Sequence, residues 1–548
     1  MTTEFTHHSA LNDAINERFE ATLQTLTDLV AIPSIAWESH DLTQVDRSAE
    51  AVAALARKAG FDNARIERAT YTTADGTEKQ GMPAVIASRP AAEGYPTILL
   101  YAHHDVQPAG NLDLWDTAPF VATRKGDRLY GRGAADDKAG ILVHLAALAA
   151  INETLGDDFK LGVKLFIEGE EEAGSPSFVS FLNTYRDELS ADYIIVADSA
   201  NWRAGVPALT TSLRGVASGD IEVRVGSHAI HSGMFGGPML DAHTLMAQLL
   251  ATLHDATGAV AVEGLHRAPE PELEYAEADF RNDSGILDSV PLAGTGTVAS
   301  RLWTQPAISV IGMDIPSIAT SSNTLAVLSR ARISTRLAPG DTPENAHRAL
   351  AEHVKAHAPH GAEVSYTAVD SGMPFSTEVD ADGAQTALDA MRAAWDLEPV
   401  QTGMGGSIPF IADLKQTFPH AQILVTGKTP TPAPTAPTSP CTSRTSRTQS
   451  WRRHCCSAHS APARRRRSAS KTPRRAGHQP AHRRAAAMRN TAARYRSGGV
   501  APPQRSRYCN CDTEAGCRGR EPASRPTNES PNTSTPHHKF GILEAELP

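Results

Sequence analysis

The first part of this chain contains four clusters of acidic or histidine side chains, and apolar runs typical of β-strands precede them. An open α/β sheet gathers the residues that follow its parallel strands at one edge. We therefore predict an α/β fold in which these clusters converge on a single crevice. The clusters are His103-His104-Asp105, Asp136-Asp137, Glu168 to Glu172, and Asp198.

This concentration of carboxylates predicts a bound cation. Carboxylates crowded into one crevice repel one another unless a positive charge neutralises them. A donor set of one imidazole and several carboxylates suits zinc, with manganese and cobalt as competitors. A single cluster such as Glu170 to Glu172 is more often a solvated acidic loop, but four clusters in the context of strand ends favour a metal site.

Composition divides the 548 residues into two unlike parts. The formal charge of −10 argues against a nucleic-acid-binding function for the whole chain. Residues 1 to about 427 are acidic and lack cysteine, whereas the remainder is basic and holds all six cysteines. Folding without thiols fits a cytoplasmic protein. The start of the chain lacks a signal-like apolar region, and we expect no membrane-spanning stretch and no membrane partner.

The hydrophobic pattern also changes along the chain. Apolar residues from Ile15 to Val30 recur at helical spacing, and the following segments alternate between helix and strand patterns, as in a parallel α/β domain. After Gly215 the pattern becomes that of half-exposed strands, at 216–225 and 329–337, with a helix at 240–253. This change predicts a second, smaller domain.

Several motifs, in order, resemble the di-zinc metallopeptidase family of carnosinase, aminoacylase and carboxypeptidase G. They are Tyr101 to Pro108, Trp115 with Pro119-Phe120, Leu129 to Lys138, and Glu168 to Ser175. The resemblance covers about residues 15–427 and implies a mixed-sheet α/β catalytic domain with an inserted ferredoxin-like α+β lid domain. The implied divisions are a first catalytic part at 1–213, a lid and dimerisation domain at 214–373, a second catalytic part at 374–427, and a disordered tail at 428–548.

The resemblance also implies roles for the clustered residues around two divalent metal ions. His104 receives no role. Two metals roughly 3.5–4 Å apart can share one carboxylate and lower the pKa of water. The implied roles are His103 and Asp198 as ligands of the first metal, Asp136 as the bridge, Glu172 as a ligand of the second metal, Asp105 as the residue that orients His103, and Glu171 as the general base.

Further roles are implied for the lid and for the second catalytic part. His231 corresponds to a histidine that stabilises the oxyanion, commonly across a homodimer formed through the lid. Arg336 corresponds to the arginine that binds a substrate carboxylate, a task that suits its bidentate fork. Gly406 and Ser407 correspond to a substrate-binding loop. A solvated loop histidine or an exposed strand arginine is the ordinary alternative, so these assignments depend on the resemblance.

The chain departs from the family pattern after Gly427. The family next carries an Ala-His-Ser-x-Asn-Glu motif whose histidine binds the second metal, whereas residues 428–440 are rich in threonine and proline. No Val, Leu, Ile or Phe occurs from Lys428 to Gly499, which excludes a hydrophobic core there. The second metal site therefore lacks one ligand in the present sequence.

The genetic code suggests that the tail is translated in a shifted frame. When the last base of each codon is joined to the first two bases of the next, the codons of residues 434–439 permit His-Ser-Pro-Asn-Glu. The same shift explains the Ala, Pro and Arg bias, because a GC-rich gene translated out of frame yields those residues. Two alternatives stay open: a basic arm that binds nucleic acid, and a zinc site built from the tail cysteines.

These observations predict a metal-dependent hydrolase that cleaves the amide bond of dipeptides or similar small substrates with a free carboxylate. Val106-Gln107-Pro108 and Asp136-Asp137-Lys138 are closer to the dipeptidase branch than to the deacylase branch. One alternative is an N-acyl amino acid deacylase of the acetylornithine or succinyl-diaminopimelate type. Another is a non-catalytic or impaired family member, because the last ligand histidine is missing.

Overall fold

In this computed structural model, the structure describes residues 7–406, 408–430 and 440–442. Ser407 and most of the predicted tail at 428–548 lie outside the described residues. Within the described part, the helices are α1 His8–Val30, α2 Thr43–Lys58, α3 Lys138–Leu155, α4 Phe178–Thr184, α5 Arg186–Leu189, α6 Ser232–Phe235, α7 Ala242–Ala251, α8 Glu277–Ser284, α9 Val298–Trp303, α10 Pro343–Ala356, α11 Asp382–Trp395 and α12 Pro409–Thr417.

The strands of the described residues form one large sheet, one smaller sheet and short ribbons. They are β1 Arg65–Glu67, β2 Thr70–Thr72, β3 Glu78–Gln80, β4 Ala84–Arg89, β5 Thr97–His103, β6 Thr123–Lys125, β7 Arg128–Tyr130, β8 Gly162–Glu168, β9 Tyr193–Asn201, β10 Ala208–Leu213, β11 Gly215–Arg224, β12 Ile230–His231, β13 Ala307–Met313, β14 Thr324–Leu325, β15 Leu328–Leu337, β16 Glu363–Gly372, β17 Phe375–Ser376, β18 Val400–Met404, β19 Gln422–Pro430 and β20 Pro440–Thr442.

The large sheet has nine strands among the described residues, in the order β1-β4-β8-β5-β9-β19-β10-β17, with β18 paired to β10. Strands β8, β5, β9 and β19 are mutually parallel. Strand β4 runs antiparallel to β1 and β8, and β10 runs antiparallel to β19 and β17 but parallel to β18. The central strands are almost continuously apolar because helices cover both faces of the sheet. Helices α1, α2 and α3 pack on one face, and α4 and α12 pack on the other.

The smaller sheet has four antiparallel strands within the described part, in the order β13-β15-β11-β16. Helices α7 and α10 pack on one face through apolar residues such as Leu245, Leu249 and Leu350. Along the chain the elements follow β11-α7-β13-β15-α10-β16, which is the ferredoxin-like arrangement. The predicted fold class, a mixed α/β catalytic domain with an inserted ferredoxin-like lid, is confirmed.

The chain crosses between the two sheets at two places. Leu213 ends β10 of the large sheet, and Gly215 begins β11 of the smaller one, so Arg214 alone joins them. The return crossing lies between Gly372 of β16 and Phe375 of β17. The predicted lid bounds of 214–373 enclose the smaller sheet. Of the predicted tail, 428–430 continue β19, and β20 pairs with β7.

One apolar helix bears on the expectation that no stretch could span a membrane. The segment Lys138–Asp158, which contains α3, is long and apolar enough to do so by length and composition, with a mean hydropathy of 1.4 over its most apolar part. However, 61% of that part is buried within the protein. α3 packs between α1 and the large sheet, as the core helix of a globular domain does.

Candidate metal centre

Three adjacent parallel strands carry three of the four predicted clusters to the same edge of the large sheet, whereas Asp136-Asp137 precede helix α3. Strand β5 ends at His103 and β8 ends at Glu168, and these two residues are paired across the strands. Asp198 lies near the end of β9, on the other side of β5. The convergence follows from strand direction, because neighbouring parallel strands have their carboxyl ends at one edge.

His103 lies at the middle of this edge and is fully buried. Its Nε2 atom is 3.1 Å from Asp136 Oδ1 and 3.8 Å from Asp198 Oδ1. Its Nδ1 atom is 3.3 Å from Asp105 Oδ1 on the opposite side of the ring. Burial alone would lower the pKa of His103, but hydrogen bonds to Asp105 and Asp136 and the charge of Asp198 raise it well above the usual value.

Asp105 joins the imidazole to the acidic turn at Glu171–Ala173. The carboxylate is buried and accepts hydrogen bonds from the backbone N–H groups of Glu171 (3.1 Å) and Glu172 (3.0 Å). Because it also faces His103 Nδ1, a single side chain sets the position of the imidazole and of both glutamates. The structure thus brings Asp105 to the place expected of an orienting residue.

Asp136 and Asp137 precede α3, where the helix N-terminus favours negative charge. The peptide bond between them is cis. The Asp136 side chain is half exposed toward the cleft. Asp137 is buried, and its Oδ2 atom accepts the backbone N–H of His103 at 3.2 Å. Sequence reasoning gave Asp137 no role at the centre; the only available signal was its place beside Asp136.

Glu171 and Glu172 are held in a poorly solvated acidic environment. Burial is the largest cause that raises the pKa of Glu171 well above its usual value, although His103 opposes the shift. Burial and the neighbouring charge of Asp136 raise the pKa of Glu172 to about 7. A carboxylate pays this penalty when no opposite charge compensates its lost hydration. A cation in the cluster would remove the penalty.

The donor atoms at this edge fit a divalent metal. One group comprises His103, Asp136 and Glu172, and a second comprises His103, Asp137 and Asp198, with the potential ligand atoms of each group within 4.8 Å of one another. Zinc binds imidazole nitrogen and carboxylate oxygen at about 2.0–2.2 Å. The four predicted ligands therefore lie together, and Asp137 joins them.

Other members of the acidic and histidine clusters have structural partners. Glu170 is buried and accepts hydrogen bonds from Ser177 N–H, Ser177 Oγ–H and Met82 N–H. Tyr101 donates its hydroxyl to Glu168 at 2.6 Å, and burial raises the pKa of Glu168 to about 8. His104 lies 2.8 Å from the carbonyl of Pro83 through Nε2, and burial lowers its pKa to about 4.

The predicted lid and loop residues lie on other elements. His231 is exposed at the end of β12, where its Nδ1 accepts the Gly233 N–H, and it belongs to neither metal-binding group of the described residues. Arg336 lies on β15, opposite Val216 of β11. Gly406 follows β18, whereas Ser407 lies outside the described residues.

The sequence profile of peptidase family M20/M25/M40 matches residues 99–437, which is more than half of the chain. This chain belongs to that family. The match includes all the residues predicted above for metal binding, catalysis and substrate binding. The predicted resemblance to metallopeptidases of the carnosinase type is confirmed, and the M20 assignment makes metal dependence the expected chemistry of this centre.

Two curated dipeptidases illustrate the similarity to M20 relatives. The chain is 34% identical over 337 residues to the cysteinylglycine-S-conjugate dipeptidase of Corynebacterium striatum, covering 61% of this chain and 74% of that protein. It is 27% identical over 430 residues to the human β-Ala-His dipeptidase, covering 74% and 82% respectively. Among solved structures, the dipeptidase Dug1p of Saccharomyces cerevisiae matches with a TM-score of 0.67 at 19% identity, covering 83% of this chain and 99% of that one.

Replacing Asp105 tests its positioning role in this M20 centre. We expect Asp105→Asn to weaken metal binding by about 10–100-fold, the usual cost of lost support behind a metal ligand. The amide can accept from one of the two backbone N–H groups but directs its own N–H₂ at the other. Competition with a chromogenic chelator measures the affinity. Asp75→Asn, in the exposed turn between β2 and β3, is the matched control; equal affinity in both variants would refute the role.

Proposed function

We propose that this protein is a metal-dependent dipeptidase that hydrolyses the amide bond of small substrates with a free carboxylate. The observation that supports it most strongly is the group around the buried His103, with Asp136, Asp198 and Glu172 as neighbouring oxygen donors and Glu171 beside them. The dipeptidase activities named for the bacterial and human relatives support the same substrate class.

We assign metal binding to His103, Asp136, Asp198 and Glu172, with Asp136 shared between two ions. Zinc is the proposed metal because one imidazole and several carboxylates form its common donor set, and manganese or cobalt would accept similar ligands. When bound, the metal polarises the amide carbonyl and lowers the pKa of water. Asp137 supports this arrangement by fixing the backbone of His103.

Glu171 is the proposed general base. Its backbone N–H donates to Asp105 at 3.1 Å, which fixes the position of the residue beside His103. It would accept a proton from the attacking water and pass it to the nitrogen of the leaving amine. Such proton transfer typically contributes about 10²–10⁴-fold to the rate.

Substrate recognition is proposed for Arg336, Gly406 and Ser407, and oxyanion stabilisation for His231. Arg336 offers a bidentate donor to the substrate carboxylate. Gln107 supports the dipeptidase branch and donates its side-chain N–H to the carbonyl of Glu172 at 3.0 Å. This contact ties a residue of the dipeptidase-like motif to the acidic turn. The deacylase alternative lacks comparable support from the named relatives.

A homodimer through the lid is proposed because an edge strand of the smaller sheet presents apolar side chains. From Val310 onward, β13 and the loop after it expose Val310, Ile311, Met313 and Ile315 by 38–55%. An apolar edge strand is a ready pairing surface for a second chain. The family resemblance implies that His231 of one subunit would reach the centre of the other in such a dimer. We propose a cytoplasmic location from the absence of cysteine in residues 1–427.

The end of the protein after about Gly427 is proposed to be translated out of frame, by mutation or sequencing error. The family profile continues to residue 437, ten residues beyond Gly427, whereas the ligand histidine of the family is missing from the present sequence. Sequencing the gene around codons 420–445 tests this proposal directly. The proposal would be refuted if the neighbouring reading frame of these codons does not encode the Ala-His-Ser-x-Asn-Glu motif.

The two neighbouring glutamates should behave differently when replaced. In the frame-restored protein, we expect Glu171→Gln to retain metal but lose at least about 100-fold of its turnover, because proton transfer fails while the ligands stay in place. In the same background we expect Glu172→Gln to reduce occupancy of the second metal. Metal content by atomic emission and steady-state kinetics separate the two effects. Turnover of Glu171→Gln equal to that of the wild type, at equal metal content, would refute the base assignment.

Substrate preference tests the proposed reaction. In the frame-restored protein we expect higher kcat/KM for unblocked dipeptides than for N-acetyl or N-succinyl amino acids, because the dipeptidase motifs at Gln107 and Asp137 adjoin the acidic turn and His103. A panel of both substrate types, assayed with the same metal, measures the ranking. A higher kcat/KM for acetylornithine or succinyl-diaminopimelate would replace the dipeptidase assignment with the deacylase one.

Restoring the neighbouring frame after Gly427 should restore the second metal. We expect the present sequence to bind about one metal per subunit at limiting zinc and to hydrolyse dipeptides very slowly. Loss of a residue that only supports a metal ligand costs about 10–100-fold in metal affinity, and here a ligand histidine itself is missing. The frame-restored protein should bind two and turn over faster. Equal metal content and equal activity would refute this account and point to another ligand, such as His454 or His459 of the tail.

A further inference from the structure

Arg214 is the residue at which the chain passes from the large sheet to the lid sheet. It lies between Leu213 of β10 and Gly215 of β11, and only 8% of its surface is exposed. Its backbone N–H donates to the carbonyl of Met404 at 3.2 Å. A long cationic side chain is seldom buried unless it is paired or serves a site.

The guanidinium of Arg214 forms a hydrogen bond to the loop that follows β18. Its Nε donates to the carbonyl of Gly405 at 2.9 Å, and Nη1 lies 3.5 Å from the carbonyl of Gln305. A β-carbon at residue 405 would lie 3.0 Å from Arg214 Nη2, so glycine allows this close approach. Arg214 therefore fixes the start of the loop to which Gly406 belongs.

Arg214 also shares its surroundings with a second arginine. Burial lowers the pKa of Arg214 to about 10, and the positive charge of Arg336 acts in the same direction. Arg336 pairs with Val216, two residues beyond Arg214. Within the described residues Arg214 forms no ion pair, and its side-chain hydrogen bonds end on neutral carbonyl groups. The two arginines thus lie at the same end of the β11–β15 pair, where their positive charges would favour binding of a substrate carboxylate.

We propose that Arg214 is a positioning residue that determines specificity for substrates with a free C-terminal carboxylate. It acts by fixing the Gly405-Gly406 loop against the lid and by adding a second positive charge beside Arg336. This inference rests on the proposed dipeptidase function and deepens it. It assigns carboxylate selection to a pair of arginines at the domain junction, one of them on the covalent connection between the domains.

The selectivity for a free carboxylate is the property to measure. Full-length, metal-loaded protein is assayed with alanylglycine and with alanylglycinamide, which lacks the negative charge; the frame-restored chain is used if the present sequence turns over too slowly. We expect Arg214→Met to raise KM for alanylglycine by about 10–100-fold, because the loop at Gly405 loses the hydrogen bonds that the charged guanidinium donates to it and to Gln305. KM for the amide should change less than about twofold, and kcat should stay similar for both.

Three further variants separate positioning from general damage. Arg214→Lys keeps the charge and should recover part of the selectivity. Gly405→Ala keeps Arg214 but crowds its Nη2 atom at 3.0 Å and the carbonyl of Leu302 at 3.2 Å, and by displacing the loop it should raise KM for alanylglycine in the same selective way. Arg332→Met is the matched control, since Arg332 lies on the same strand as Arg336 but pairs with Asp220 on the exposed face. It should leave both substrates unaffected.

The outcomes distinguish the inference from the proposed function. The role of Arg214 would be refuted if Arg214→Met raises KM equally for the two substrates, or leaves KM for alanylglycine unchanged. In either case, dipeptide hydrolysis by the wild type would still support the proposed function. If the metal-loaded, frame-restored wild type hydrolyses no dipeptide, the proposed function fails and the inference fails with it. A selective rise in KM, partly reversed by lysine, supports both.

Discussion

Burial of several carboxylates around one imidazole is the constraint on which this active-site edge depends. Separating such charges from water raises the pKa of Glu171 and Glu172 and leaves like charges close to one another. The protein supports this arrangement with a sheet whose parallel strands end side by side and with a helix N-terminus beneath Asp136. A divalent cation bound at the cluster would offset this electrostatic cost.

Asp105 and Arg214 each connect two distant segments of the site through hydrogen bonds to backbone groups. Asp105 connects β5 to the acidic turn 66 residues later through the Glu171 N–H. Arg214 connects the domain junction to the Gly405 loop across 191 residues. In both cases a buried charged side chain bonds backbone groups, so it defines the position of a segment as well as its own. These two contacts fix the backbone of Glu171, the proposed base, and of Gly405, which precedes the proposed recognition residue Gly406.

Much of this organisation is predictable from the sequence because it depends on local patterns. The apolar runs before His103 and Asp198 predict buried strands, and strand direction then predicts that the two side chains meet. Family motifs add the roles of Asp136 and Glu172, and the change in pattern after Gly215 predicts the second sheet. The fold class is confirmed in these terms.

The contacts of Asp137 and Arg214 could not be predicted in the same way. Asp137 faces the His103 N–H because of the local path of the chain before α3, which no periodicity reports. Arg214 meets Gly405 only after the two catalytic parts and the lid have packed together. Neither composition nor spacing indicates a role for an aspartate next to another aspartate, or for an arginine before a glycine. Tertiary geometry alone distinguishes these residues from ordinary surface charges.

The most direct test of the account is a crystal structure of the frame-restored protein with zinc, using anomalous scattering measured at the zinc edge. The account predicts two anomalous peaks, the first beside His103 and Asp198 and the second beside Glu172, with the Asp136 carboxylate between them. A single peak held by Asp137 with Asp136 turned away, or peaks remote from His103, would contradict it.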